Sequence, residues 1–403
     1  MRGIKEIFFI LSVVWLHVAG FLQSGNQNDL IAGDNVILLI GLFVIFATPE
    51  LRKIKLSSTI LTAFTFGVVV IVISPLYTFL KDALVFEKSF EIVPLMKASL
   101  RLFIVYNFVK YLSINFEHFY RGISALLYFG VVIVLSMLFL DIFGLLGFYT
   151  YKIGTQIEGD FTRISGITGM SVNVTGILLS MLFGIALTFF KYKVIGKYKF
   201  LFLAAFYLIG ILLTGSRTAL YVTFLIYFVY LLSYFKHMRP GILIFNLFAI
   251  VVLFVVFSNF AEVTLARIEQ GSEGEYGGLE YRMGYWEFYL NDIADNPEYL
   301  IHGNTAPPTY KRSPHNYYVY LAFSSGLFFL LLPLYIISRF VISKGRLIKR
   351  SQYWSLESKY ILIPQLLFWL TALEPITWFG LIMLMASGIF FEHKTIEKFS
   401  AEN

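Results

Sequence analysis

The chain has 403 residues, of which 58% are hydrophobic, 18% aromatic and only 14% charged, where ordinary soluble domains carry about a quarter charged residues. That composition excludes a soluble globular protein. The formal charge of +7 does not point to nucleic acid, because the lysines and arginines sit in short clusters between apolar stretches and no basic-aromatic recognition motif is present.

Apolar stretches of roughly 17–25 residues recur along the sequence, each long enough to cross a hydrocarbon core of about 30 Å. With no water there to satisfy backbone groups, such stretches must be helical. The first follows Arg2 and Lys5 and resembles a secretory signal. It is long and lacks a small-x-small cleavage site, so it reads as a retained helix. Membrane segments are predicted at 7–23, 35–48, 58–80, 92–112, 121–140, 166–190, 198–214, 217–235, 241–258, 316–338, 359–373 and 375–391. The expected fold is all-α: a polytopic membrane protein of about twelve transmembrane helices, forming a single integral membrane domain over residues 1–403. With the N-terminus inside, every inner loop is basic. Examples are Arg52, Lys53 and Lys55, then Lys191, Lys193, Lys197 and Lys199, then Lys236 and Arg239. The positive-inside rule therefore places both termini in the cytoplasm.

Residues 259–315, between the ninth and tenth segments, form the only long hydrophilic stretch, and this topology places it outside. It begins with a Gly-rich acidic part, Gly271 to Gly278, followed by an aromatic amphipathic helix over Leu279 to Leu290. Helices of that kind often lie at the headgroup level. Asn296-Pro297 and Pro307-Pro308 break the chain further on. No Walker loop, dinucleotide fingerprint or HExxH motif is present. The absence of cysteine removes disulfides, thiolate metal sites and cysteine nucleophiles.

Candidate chemistry gathers at the outer loops. In Lys311-Arg-Ser-Pro-His-Asn-Tyr-Tyr318, Ser313 is the expected N-cap and Pro314 the first residue of the tenth membrane helix. His315 then falls in the first helical turn. The helix N-terminus, with Lys311 and Arg312 nearby, disfavours imidazolium and leaves a neutral base. The plain alternative is an interfacial histidine capping a helix. Leu213-Thr-Gly-Ser-Arg-Thr-Ala219 is a tight outer turn in which Ser216 and Arg217 can meet a phosphate, Arg217 as a planar fork; a snorkelling arginine is the alternative. Arg282 stands one helical turn before Trp286, next to Tyr281, where the indole can support the guanidinium; a solvated surface charge is the alternative. Arg163, before the sixth segment, is a weaker candidate. Asp29 and Asp34, and Glu273 and Glu275, lack a constrained metal-binding spacing, so neither a metal nor another cofactor is expected.

Four of these features, in this order, resemble the family of O-antigen polymerases and O-antigen ligases. The matching pieces are Arg163-Ile-Ser-Gly166, Thr214-Gly-Ser-Arg-Thr-Ala219, Arg282 ahead of Trp286 and Asn296-Pro297, and His315-Asn316 followed by Gly326. They span roughly residues 160–335. One departure is His302-Gly303-Asn304, standing where the family has a Gly-rich turn. The resemblance implies a metal-independent, inverting glycosyltransferase of the bacterial inner membrane, acting at the periplasmic face on an undecaprenyl-pyrophosphate-linked glycan. It implies Arg217 and Arg282 on the pyrophosphate and His315 as the base. Arg163, Arg312, Asn316, Ser216, Tyr281 and Trp286 are then weaker substrate contacts. Membrane lipid and a chain-length regulator protein are the other partners it suggests, and nucleic acid is not one.

A second lipid-linked repeat as acceptor makes a polymerase, and the lipid A core makes a ligase. The aromatic, Ile- and Lys-rich composition is like that of proteins from antigen gene clusters and favours the polymerase. A secondary transporter or lipid-linked-sugar flippase is the competing class. Transporters place ionisable groups near the bilayer midplane, whereas here they gather at the outer edge.

Overall fold

In a computed structural model, the structure describes residues 3–16, 33–86, 92–145, 155–158, 161–168, 171–234, 279–304 and 316–348, together with 380–382, 384–386 and 389. Apolar runs fold as helices throughout. The chain opens with α1 (Ile4–Trp15), α2 (Gly33–Phe46) and the single turn α3 (Glu50–Lys53). Next, α4 (Ser58–Val68) runs through a π-helical turn, Val69–Ile73, into α5 (Ser74–Phe86). The π turn has a local cause in Pro75: it lacks the N–H that would bond the Ile71 carbonyl, and its ring pushes against that carbonyl. Then come α6 (Ile92–Leu112) and α7 (Phe116–Leu145).

A short antiparallel hairpin, β1 (Thr155–Glu158) with β2 (Phe161–Ile164), pairs Gln156 with Arg163. It is the one non-helical element among the described residues and an addition to the expected all-helical fold. A 3-10 turn at Gly166–Thr168 leads to α8 (Val172–Lys191), α9 (Lys197–Leu213) and α10 (Arg217–Tyr234). The remaining described elements are α11 (Leu279–Asp295), α12 (Tyr299–His302), α13 (Tyr317–Ser325) and α14 (Leu327–Ile348).

The centre of the bundle is α8, buried from Val174 to Phe189. Around it stand α7, α9 and α10, with α1, α2 and α6 packed beyond α7. Side chains without bulk let these backbones approach, as membrane helices require. A Cβ at Gly210 of α9 would stand 2.6 Å from Val134 and 2.7 Å from Leu179. Hydroxyls inside the helices return to the carbonyl four residues back, as Ser180 does to Gly176, Thr188 to Gly184 and Thr223 to Ala219. That satisfies them where no water reaches.

Among the described residues, three helical stretches, Ile60–Leu84, Phe116–Ile142 and Val172–Lys191, are long and apolar enough to cross a membrane; Arg217–Leu231 and Leu327–Arg339 are shorter apolar helices. The expected twelve crossings are therefore seen only in part. Segments 241–258 and 359–373 lie outside the described residues, as does most of 375–391.

The expected tenth segment, 316–338, is corrected in two ways. It is two helices, divided at Gly326, whose φ of 84° and ψ of 170° only glycine adopts readily. It also starts later than Ser313 and Pro314 imply. Asn316 is the N-cap, in extended conformation, its side-chain oxygen accepting from the amides of Tyr318 at 3.0 Å and Val319 at 3.2 Å. The asparagine oxygen satisfies two orphan amides at once and so sets the start at Tyr317. His315 precedes the cap rather than lying in the first turn.

Candidate functional site

The Arg217 turn is built from buried hydroxyls. Thr214 closes α9 and donates to the Ile211 carbonyl at 2.6 Å, and its oxygen accepts from the Ser216 amide at 3.2 Å. Gly215 takes φ 58° to make the reversal. Ser216 then caps α10, accepting from the Ala219 amide at 3.4 Å. Both hydroxyl residues are buried, at 0% and 1% exposure, so their oxygens are committed to the backbone. Arg217 follows as the first residue of α10, half-buried. Its backbone is therefore anchored to a rigid corner at a helix N-terminus, an end whose dipole favours an anion.

Gly176 of α8 fixes that corner from below. A Cβ there would lie 2.8 Å from Ala219, 3.1 Å from Ser216 and 3.1 Å from the Thr214 hydroxyl. The same helix holds the segment that follows Arg163. Thr168 and Thr175 share a hydrogen bond at 2.8 Å, and Thr168 donates to the Ser165 carbonyl at 2.8 Å. Ser136 of α7 accepts from the Ile167 amide at 2.9 Å. The structure thus brings the Thr214–Ala219 corner and the Ile164–Thr168 turn onto one end of α8.

A second group of elements surrounds α13. Tyr289 of α11 meets Phe323 edge-on, with ring centroids 4.8 Å apart, and Tyr299 meets it at 6.1 Å. Ile293 completes this small apolar cluster. Position 282 is in helical phase with Trp286, Tyr289 and Ile293 (four, seven and eleven residues on), and Tyr289 and Ile293 form the face packed on α13. Residues 299–304 then run into the notch at Gly326. The Asn304 amide donates to the Phe323 carbonyl at 2.6 Å. Gly303 takes φ 78°, and a Cβ there would collide with the Ser324 backbone. From α5, Tyr77 donates to the His302 carbonyl at 2.9 Å, Thr78 shares a hydrogen bond with Ser325 at 2.9 Å, and Lys81 donates to the carbonyls of Asn304, at 2.8 Å, and Ser324.

Of the residues singled out from the sequence, Ser216 and Asn316 have helix-capping roles, and Arg217 and Trp286 are half-buried. Arg163 lies on β2 at the end of α8 that holds the Arg217 corner, while Tyr281 and Arg282 lie on α11 beside α13. His315 and Arg312 lie outside the described residues. Sequence reasoning missed Lys81, whose signal was its spacing of three and four residues from Thr78 and Tyr77 on one helix.

Comparison with curated proteins and with solved structures gives no match. A family model described as O-antigen ligase matches residues 200–334, a stretch that contains the Arg217 corner, α11, the 299–304 arm and the capped start of α13. The long apolar helices support a membrane protein, and the match is to a family whose description places it in O-antigen biosynthesis. Residues 200–334, a third of the chain, are thus similar to the O-antigen ligase family.

Proposed function

We propose that the protein is an O-antigen polymerase of the bacterial inner membrane, extending a glycan carried on undecaprenyl pyrophosphate. The reading rests above all on Arg217, held by buried hydroxyls at the first position of α10 inside the matched stretch. In this reading both termini are cytoplasmic, the site opens to the periplasm, and residues 1–403 form one membrane domain whose long loop, 259–315, lies outside.

Arg217 and Arg282 hold the pyrophosphate of one lipid-linked glycan. A planar fork matches two phosphate oxygens at once, and the charge released on the leaving pyrophosphate strengthens both contacts in the transition state. A sugar hydroxyl of a second lipid-linked repeat attacks the anomeric carbon from the opposite face. The new C–O bond forms as the bond to pyrophosphate breaks, and configuration inverts. His315 accepts the hydroxyl proton. Arg163, Arg312, Tyr281 and Trp286 line the path of the glycan. No metal is required, because the two guanidinium groups supply the positive charge.

The test is transfer by purified full-length protein in lipid, supplied with a synthetic lipid-pyrophosphate-linked repeat and a chelator. Extended product is expected from the wild-type chain and none from His315→Ala. Because the base works only when neutral, turnover should fall as the solution is acidified toward roughly pH 5. Full turnover by His315→Ala, or a rate indifferent to acidification, removes the base. Ligase and polymerase separate by phenotype: loss of a polymerase leaves single repeats on the lipid A core, and loss of a ligase leaves none. Uptake of the repeat without any transfer would instead favour the transporter. A chain-length regulator has no support beyond the family resemblance.

A further inference from the structure

We propose that Lys81 is a positioning residue that latches the arm carrying residues 299–304 into the break between α13 and α14. Its effect on turnover rests on the function proposed above; the latch itself does not.

Lys81 stands near the end of the apolar stretch Ile60–Leu84, where a compact ammonium needs acceptors to replace its water. It donates to two peptide carbonyls, those of Asn304 and Ser324. Ser324 is in the last turn of α13, where carbonyls lack helical partners and carry partial negative charge. One cation thereby ties three separate pieces of chain: α5, the arm after α11, and the end of α13. The arm meets α13 through the Tyr299–Phe323 ring contact and the 2.6 Å bond from the Asn304 amide to the Phe323 carbonyl, and it meets α5 through Tyr77 at the His302 carbonyl. Both glycines that allow the close approach, Gly303 and Gly326, sit at the contact. A Cβ on Gly326 would lie 2.6 Å from the Ile301 carbonyl.

The pieces so joined carry the proposed chemistry. Upstream of the latched arm is α11, with position 282; Asn304 and Asn316 bracket the sequence that holds His315. A loose arm separates base from guanidinium. It therefore costs turnover more than substrate binding, since misplacement of reacting groups acts on the transition state.

The test compares wild type with Lys81→Met, Lys81→Arg and Tyr77→Phe in lipid nanodiscs, by amide hydrogen exchange and by transfer kinetics. Lys81→Met should raise exchange at the Asn304 and Gly326 amides by about tenfold or more and leave α8 to α10 unchanged. Its kcat should fall about tenfold with KM for the lipid-linked repeat within about twofold, and Lys81→Arg should recover most of the loss. Tyr77→Phe, which keeps the ring and its stacking on Phe329 at 4.5 Å, should loosen the same amides less. Unchanged exchange at 299–304 in both Lys81→Met and Tyr77→Phe overturns the latch. Raised exchange with unaltered kcat overturns the positioning role. Should His315→Ala retain full transfer, the reaction scheme fails while the exchange result still decides the latch.

Discussion

Arg217 sits at the first position of α10, on a corner whose hydroxyls are spent on the backbone. Its position is therefore set by the fold, while its chemistry depends on the shape of its head group. Arg217→Lys keeps the charge and the helix but replaces a planar fork by a point ammonium. We expect kcat/KM for the lipid-linked repeat to drop by about a hundredfold, in line with loss of a bidentate contact to a phosphate that gains charge in the transition state. Near-normal turnover of that variant would refute the pyrophosphate assignment. At this scale the sequence was informative about residue type and blind to long-range pairing. Thr-Gly-Ser-Arg announces a tight turn by composition alone, and the turn is there. Lys81 and Asn304 lie 223 residues apart, and no local pattern joins them. Ser216 and Asn316 show a structural role that the sequence reading did not assign to them: their side-chain oxygens cap helices.

Among the elements, α6 and α10 begin where periodicity and turn residues place them, because apolar runs bounded by charged or small residues carry their own ends. The tenth segment also starts near its expected bound, at Tyr317, but Ser324-Ser325-Gly326 marks a break inside it, at the place where the arm docks. His302-Gly303-Asn304, a departure from the family's turn, still supplies glycine where the backbone demands it. Gly303 has φ 78° and ψ 173°, a region essentially closed to residues with a Cβ, at a cost of about 1–3 kcal/mol. Gly303→Ala should therefore lower the midpoint of thermal unfolding in detergent. Gly284 is the matched control. It lies inside α11 with nothing within 4 Å of an added Cβ, so Gly284→Ala should leave the midpoint unchanged or raise it, alanine being favoured over glycine in a helix by about 1 kcal/mol. Equal effects of the two variants would mean that the arm does not need the Gly303 geometry.

At the scale of the whole molecule, the bundle is polarised by charge. Lys5 donates to the Ala47 carbonyl, Arg121 pairs with Glu117 and lies 3.5 Å from Glu6, and Lys199 meets the Tyr120 hydroxyl at 3.3 Å. Those contacts gather the basic residues of the predicted inner loops at one end. The Arg217 corner is at the other: α9 runs from Lys197 to Leu213, and at about 1.5 Å per residue its 17 residues span most of a hydrocarbon core. A chain with no cysteine permits a direct test, since any introduced thiol is the sole one. Lys53 and Lys197 are exposed at the basic end, and Asp295 is exposed on α11. Asp295→Cys should react with a membrane-impermeant maleimide in intact spheroplasts, whereas Lys53→Cys and Lys197→Cys should react only after permeabilisation. The positive-inside bias predicts which end faces in, and the proposed reaction on exported glycan requires Arg217 at the opposite face. Labelling of position 197 from outside, or of 295 and 197 from the same side, would invert or abolish that arrangement and take the periplasmic reaction with it.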